Sequence, residues 1–126
     1  MLHAKLPSIE DTEGKEVPEG LPAVIDAHVH VFPRAIFSAV RQWFDTYGWS
    51  IRYRMGTSQI FDFLLSRGVR HIVALQYAHK PGMADYLNQY MAEKCRPYAN
   101  QVTGLATVFP GEADAPAYLQ RAFDAG

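Results

Sequence analysis

The sequence predicts an α/β protein built on a parallel β-sheet. Three apolar runs with strand character, residues 23–32, 69–77 and 101–109, are each followed by a segment with the period of an amphipathic helix. Strands that alternate with helices in this way are typical of parallel sheets joined by right-handed crossovers. The 126 residues are 48% hydrophobic and carry a formal charge of −1, which is an ordinary globular composition. A chain of this length can bury one core.

Residues 1–22 are predicted to form a flexible amino-terminal arm, because they show no periodicity and are interrupted by three prolines and two glycines. The predicted domain covers residues 23–126 and begins with a strand. Side chains on opposite faces of a strand alternate, so one face of residues 23–32 carries only apolar side chains. That face comprises Ala23, Ile25, Ala27, Val29 and Val31; the other comprises Val24, Asp26, His28, His30 and Phe32.

Four helices are predicted between and after the strands. Apolar residues recur at helical spacing in each of them, and prolines and glycines mark their ends. We expect Thr57 or Ser58 to cap the second helix and Asp114 to cap the fourth. The predicted helices run from Pro33 to Gly48, from Thr57 or Ser58 to Gly68, from about Met83 to Arg96, and from Asp114 to Gly126.

The cysteine count, the apolar runs and the net charge limit the compartments and partners that the protein can have. Cys95 is the single cysteine, so no internal disulfide can form, and its place in an amphipathic helix predicts a buried structural thiol. No apolar run approaches the ~20 residues of a membrane helix, and the first residues lack the apolar segment of a secretory signal. We therefore expect a cytoplasmic protein with no membrane partner. The near-neutral formal charge does not indicate the basic surface that nucleic-acid binding needs.

The segment Asp26-x-His28-x-His30 ends the first predicted strand, and Pro33 and a helix follow closely. Two imidazoles that share a strand face near its carboxyl end can converge on one metal ion, and ligand sites in parallel sheets lie at that end. Neutral histidine nitrogen suits zinc, with manganese or iron as alternatives. Asp26, one step deeper, is expected in the second shell, where it orients a ligand or binds another polar group. An isolated His-x-His also occurs without metal.

"IDAHVHVFP" resembles the first-strand signature of the amidohydrolase superfamily, in particular the amidohydrolase-related branch that includes metal-dependent decarboxylases and lactonases. "LQYAHKPGMADYLNQYMAEKCRPY" and "VTGLATVFPGE" are similar to the second and third strand–helix units of that branch, so the resemblance covers roughly residues 23–126. It implies a TIM-type (β/α)8 barrel with one or two divalent ions at its carboxyl-terminal face. His28 and His30 would be the first-strand ligands.

The same resemblance implies that this chain holds only part of a barrel. Such a barrel needs ~250 residues, and about the first three of its eight strand–helix units are present. A catalytic zinc usually has three protein ligands, whereas the motif supplies two. The family's further ligands, from the fifth, sixth and eighth strands, have no counterpart here. We expect the remaining barrel segments to come from the same or another chain, and a homo-oligomer is compatible with the sequence.

Basic residues near the predicted site suggest substrate contacts. His79 and Lys80 follow the second strand directly, where a barrel builds its active site, and Lys80 suits a carboxylate; an exposed loop is the alternative. Arg52 and Arg54 lie in the loop after the first helix, where contact with an acidic substrate competes with an ordinary solvated loop. His71 lies at the opposite end of its strand, which favours a structural role.

The predicted function is that of a metal-dependent hydrolase of the amidohydrolase type, acting on a small acidic substrate through metal-activated water. No catalytic acid or base is identified within the chain itself. One alternative is non-hydrolytic decarboxylation of an unsaturated or aromatic acid by a metal enzyme of the same branch. An alternative of another class is a non-catalytic fragment or subunit that pairs with a partner chain through its open sheet edge.

Overall fold

The computed structural model describes residues 12–126 and confirms the predicted α/β class and the order of elements within them. The three strands are parallel and lie in the order β1–β2–β3. The elements are β1 (Ile25–His30), α1 (Arg34–Tyr47), α2 (Thr57–Ser66), β2 (His71–Leu75), α3 (Ala84–Cys95), a 3₁₀ helix (Arg96–Tyr98), β3 (Val102–Gly104) and α4 (Ala115–Asp124).

One face of the sheet is covered by helices. Ile72 and Ala74 of β2 are fully buried, and they pack with Phe61 of α2 and Met91 of α3 in one apolar cluster. Val102 of β3 belongs to the same cluster. Sequential parallel strands joined by right-handed crossovers have their connecting helices on a single face, and this cluster lies on that face.

The other face of the sheet has no covering layer within residues 12–126. His71, Val73 and Leu75 alternate with the buried residues of β2 and are only partly buried. Leu105, which follows β3, is 45% exposed. His71 Nε2 lies 2.8 Å from the Thr103 hydroxyl on the neighbouring strand, so the expected structural role of His71 agrees with its cross-strand contact.

A β-bulge interrupts β1 and corrects the predicted alternation of its faces. The register pairs Asp26 with Ile72 and Val29 with Ala74, and it shifts between these pairs. Because both partners face the helices, Asp26 and Val29 also lie on that face, although they are three residues apart. Ile25 is 58% exposed on the opposite face. The prediction of a single apolar face is therefore wrong at Ile25, and the predicted common face of Asp26 with His30 is wrong as well.

One predicted helix cap is wrong, and the other is confirmed in position only. Gly56, rather than Thr57 or Ser58, is the N-cap of α2, and its amide donates to Gln59 Oε1 at 2.8 Å. Asp114 occupies the N-cap position of α4, but its side chain makes no capping hydrogen bond. The Thr57 hydroxyl points instead into the structure, toward Tyr90 Oη at 2.8 Å. The Thr57 hydroxyl, which the sequence predicts as a helix cap, thus makes a tertiary hydrogen bond instead.

The strands are shorter than predicted, most of all β3. It spans three residues, because the chain after Gly104 leaves the sheet once Leu105 N has donated to Ala74 O at 2.8 Å. Residues 1–11 of the predicted arm lie outside the described residues. Within the rest of the arm, Val17 N donates to Arg67 O at 2.7 Å and Glu13 pairs with the Arg67 guanidinium at 3.3 Å. None of the helices in residues 12–126 is long and apolar enough to cross a membrane.

Candidate metal centre

His28 and His30 converge at the carboxyl end of β1. Their Nε2 atoms lie 3.0 Å apart, with the two rings inclined at 72°. Two nitrogens bound to one tetrahedral zinc at 2.0–2.1 Å would be separated by about 3.3 Å. The two imidazoles therefore already present their nitrogens at close to the spacing that a shared ion requires.

Asp26 supports this pair through the backbone. Its Oδ1 accepts a hydrogen bond from the His28 amide at 3.2 Å, across the β-bulge. Bulges redirect side chains and are frequent beside active sites. The carboxylate of Asp26 thus contacts the main chain at the bulge, and the expected second-shell role would act by fixing the backbone that carries His28.

Aromatic rings shield the His30 imidazole from one side. Phe32 stacks nearly parallel to it at a centroid distance of 6.1 Å, and Tyr77 meets it edge-on at 5.9 Å. Desolvation by these surroundings, followed by the nearby His28 imidazole, lowers the pKa of His30 below its ordinary value. A lowered pKa favours the neutral imidazole, which is the form that binds metal.

A cavity of about 390 Å³, the aromatic cavity, opens beside His30 between β1, α1 and the loop that precedes α2. Its volume falls within the usual range for small-molecule sites. Most of its wall is aromatic or aliphatic, and Arg41 is the single arginine or lysine that lines it. The lining residues are His30, Phe32, Phe37, Val40, Arg41, Phe44, Trp49, Ile51, Tyr53, Ile60 and Tyr77.

Two hydroxyl groups hold the end of β1 in place. The main-chain carbonyl of Phe32 lies 3.4 Å from Thr57 Oγ1 and 3.3 Å from Tyr90 Oη, and the two hydroxyls lie 2.8 Å from each other, so one hydroxyl donates to the other and the second donates to the carbonyl. These contacts join the carboxyl end of β1 to the first turn of α2 and to α3. The candidate ligand His30, two residues earlier, is therefore carried by a segment that is fixed from two sides.

The loops after β2 and β3 are joined at the same end of the sheet. Buried Asn88 binds the main chain of Thr107 twice, through Oδ1 to its amide at 2.8 Å and through Nδ2 to its carbonyl at 3.0 Å. The Thr107 hydroxyl accepts from Ala78 N at 3.1 Å, and Glu112 Oε1 accepts from Gly82 N at 2.6 Å. The carboxyl-terminal loops thus form a connected rim rather than separate flaps.

His79 and Lys80 lie on this rim but not in the histidine pair. Both are exposed, and both line a groove of about 420 Å³ between α1 and the loop after β2, which also includes Tyr77 and Trp43. Tyr77 separates this groove from the aromatic cavity, since it lines both. Substrate contact by His79 and Lys80 stays a prediction.

The two loop arginines have partners in the structure. Arg52 lies 3.6 Å from Glu13, and Arg54 bonds Asp45 and also donates to the Ser50 hydroxyl at 3.3 Å. Neither lines the aromatic cavity beside His30. Their expected contact with a substrate in that cavity is therefore not supported by their positions.

Two residues at the site were not singled out from the sequence. Tyr77 continues the alternation of His71, Val73 and Leu75, so the two-residue period could have placed it beside the first-strand histidines. Arg41 gave no comparable signal, because an arginine on an amphipathic helix is usually a solvated side chain. Its position over the cavity follows from how α1 lies across the end of β1.

Within residues 12–126, no group of three or more histidine, cysteine, aspartate or glutamate side chains could together hold a metal ion. The histidine pair could supply at most two ligands, one fewer than a catalytic zinc usually takes from protein. No family model, curated protein or solved structure matches the chain. The physical case for a function therefore comes from the geometry of the site.

Proposed function

We propose that this chain forms the first part of a metal-dependent hydrolase barrel of the amidohydrolase type, in which His28 and His30 bind a divalent ion, zinc first. The observation that supports the proposal most directly is the 3.0 Å separation of their Nε2 atoms at the carboxyl end of β1. Binding sites of parallel α/β barrels are built at that end. The further ligand would come from remaining barrel segments of the same or another chain.

The sheet is compatible with the first units of a barrel. Its strands run in sequential order, its buried cluster lies on one face, and its other face is partly exposed. The first three strands of a doubly wound sheet share this order, so the proposal of a barrel, which turns one face of its sheet inward, rests on the sequence resemblance. The half-buried His71, Val73 and Leu75 would then be interior residues of the barrel.

The site's residues define what the chain itself would contribute to hydrolysis. A divalent ion bound there would lower the pKa of a coordinated water and polarise a substrate carbonyl. His28 and His30 would hold the ion in their neutral form, and Asp26 would fix the main chain that carries His28. The aromatic cavity would take the apolar part of a substrate and exclude water from it.

Zinc binding tests the proposal at the histidine pair. We expect the purified protein to retain zinc after equilibrium dialysis, and His28→Ala or His30→Ala to lose most of it, since each removes one of two ligands. Cobalt substitution provides a second readout, because its visible spectrum reports nitrogen coordination. His79→Ala is the matched control: it removes an exposed histidine from the same end of the sheet and should leave the zinc content unchanged.

A hydrogen bond between the two imidazoles is the competing interpretation of their 3.0 Å contact, with one tautomer donating to the other. Under that interpretation the protein would bind zinc no better than the double variant His28→Ala/His30→Ala. Zinc content that is the same in wild type and in this double variant would therefore refute the assignment. The thermal midpoint provides an independent check, because a ligand of the folded state alone must raise it.

A second candidate, decarboxylation of an aromatic acid, is favoured by the wall of the aromatic cavity. Phe32 and Tyr77 flank His30, and further aromatic rings line the rest of the cavity. Aromatic rings prefer such offset or edge-on neighbours. Substrate turnover in heavy-oxygen water distinguishes the two reactions: hydrolysis incorporates the label into the organic product, whereas decarboxylation releases carbon dioxide and leaves the organic product unlabelled.

A further inference from the structure

Three arginines line a second cavity, of about 480 Å³, which lies between α1 and the first turn of α2. We call it the arginine cavity. Arg34 and Arg41 come from α1, and Arg54 comes from the loop that precedes α2. The rest of its lining is largely polar: Ser38, Gly56, Thr57, Gln59 and Tyr90, together with Phe32 and Phe37.

The positive charge of this cavity is not neutralised by residues 12–126. Arg54 pairs with Asp45, which accounts for one of the three charges. Arg34 and Arg41 make no ion pair with a carboxylate among the described residues. Three guanidinium groups and one carboxylate leave a formal charge of +2, since arginine stays protonated in proteins. A ligand that compensates this charge would carry two negative charges.

Arg41 is held in place by two contacts. Its guanidinium donates to the Met55 carbonyl and lies 4.6 Å from the centre of the Phe37 ring. Burial, followed by the neighbouring Arg54, lowers the pKa of Arg41 below its ordinary value. Both causes disfavour the charged form, and an anion between these arginines would remove the second.

We propose that the arginine cavity binds a dianionic oxyanion of the phosphate type, with Arg34, Arg41 and Arg54 as its charged donors. Planar guanidinium groups bind phosphate oxygens through pairs of parallel hydrogen bonds. The Ser38 hydroxyl lines the same cavity and can add a neutral donor. The site is distinct from the histidine pair, because neither His28 nor His30 lines it.

The neighbouring aromatic cavity indicates where the rest of a phosphorylated molecule would lie. The two cavities share Phe32, Phe37 and Arg41. An aryl group attached to the phosphate could therefore extend past Arg41 onto aromatic rings. Free phosphate and the phosphate group of an organic ester use the same donors, and only the ester would gain this second contact.

Titration calorimetry with inorganic phosphate and phenyl phosphate, at constant ionic strength set by sodium chloride, tests the site. We expect saturable binding of at least one of them, and a loss of at least about tenfold in affinity in Arg41→Gln, since a charge-assisted bidentate contact is removed. Arg34→Gln, at an exposed position with no hydrogen-bond or ion-pair partner to lose among residues 12–126, should weaken binding in the same direction. Tighter binding of phenyl phosphate would identify an organic phosphate; equal binding would identify the free anion.

Arg121→Gln is the matched control. Arg121 is also a helical arginine, but it pairs with Asp85 at 2.9 Å and lies outside the cavity, so its loss should leave the affinity unchanged. His28→Ala should keep the phosphate affinity of the wild type, which separates this proposal from zinc binding. If neither phosphate compound binds saturably, or if Arg34→Gln and a folded Arg41→Gln both bind like wild type, the proposal is refuted.

Discussion

The two faces of β2 differ clearly in how far they are buried. Ile72 and Ala74 are completely buried beneath α2 and α3, whereas His71, Val73 and Leu75 between them remain partly exposed. β2 thus has one face that helices cover and one face that is partly exposed to solvent. The helix-covered face holds the buried core, and the carboxyl end of the sheet carries the candidate histidine pair.

The largest expected effect is a difference in unfolding free energy between substitutions at two adjacent residues of β2, one on each face. Ile72→Ala should lower the free energy of unfolding by about 2–5 kcal/mol, because it removes a fully buried side chain and leaves a cavity. Val73→Ala should lower it by about 1 kcal/mol or less, since its side chain is only partly buried and the space it leaves lies on the open face. Urea denaturation of both variants measures the difference.

Equal losses for the two variants would contradict the comparison. They would mean that Val73 is buried in solution by something other than residues 12–126, either a second copy of the chain or further barrel segments. Sedimentation of the wild-type protein then distinguishes the two, because a second copy would double the mass. The stability difference therefore also reports on whether the open face is covered.

Much of the fold could be predicted from the sequence because the periods of two and 3.6 residues are local signals. β2 shows this well: the buried residues Ile72 and Ala74 alternate with half-buried neighbours. The predictions that fail are those for structure that depends on residues distant in the sequence. The bulge in β1 depends on its pairing with β2, and it reverses the faces of Ile25 and Asp26. Trp43 and Tyr47 lie on the predicted apolar face of α1 but are exposed, because helical spacing does not determine which part of that face packs against the sheet.

The candidate site divides in the same way. The approach of His28 and His30 could be predicted, because two residues two positions apart at a strand end lie side by side. Arg41 could not, because its contact with the cavity depends on the angle at which α1 crosses the end of β1. The contact of Gly104 with α3 is likewise absent from any local pattern. Local periods thus predict elements and short motifs, whereas packing angles place side chains from different elements together.

The second prediction concerns the packing of β3 against α3 on the covered face. A Cβ atom at Gly104 would lie 2.5 Å from Met91 Cγ and 3.0 Å from Cys95 Sγ. Gly104→Ala should therefore lower the free energy of unfolding by about 1–3 kcal/mol, as overpacked cores do. Gly14→Ala is the control, since nothing lies within 4 Å of its added Cβ. A stable Gly104→Ala would show that α3 moves freely away from β3.

The smallest expected effect is the pH response of Cys95, which lies behind Gly104 on the covered face. Its predicted burial is confirmed, and desolvation raises its pKa to about 11 from an ordinary 9.0. The folded state therefore keeps its proton where the unfolded state loses it, so stability should fall as pH rises from 9 toward 11.

The difference in unfolding free energy between wild type and Cys95→Ala, measured across that range, isolates this residue from the tyrosines that titrate nearby. Thiol labelling gives a second reading, because the thiolate is the reactive form and is scarce in the folded protein at pH 8. Labelling should be slow there and should accelerate in urea. Labelling at the rate of an unfolded cysteine in native buffer would instead show that α3 opens readily, and that the covered face is as loosely held as the open one.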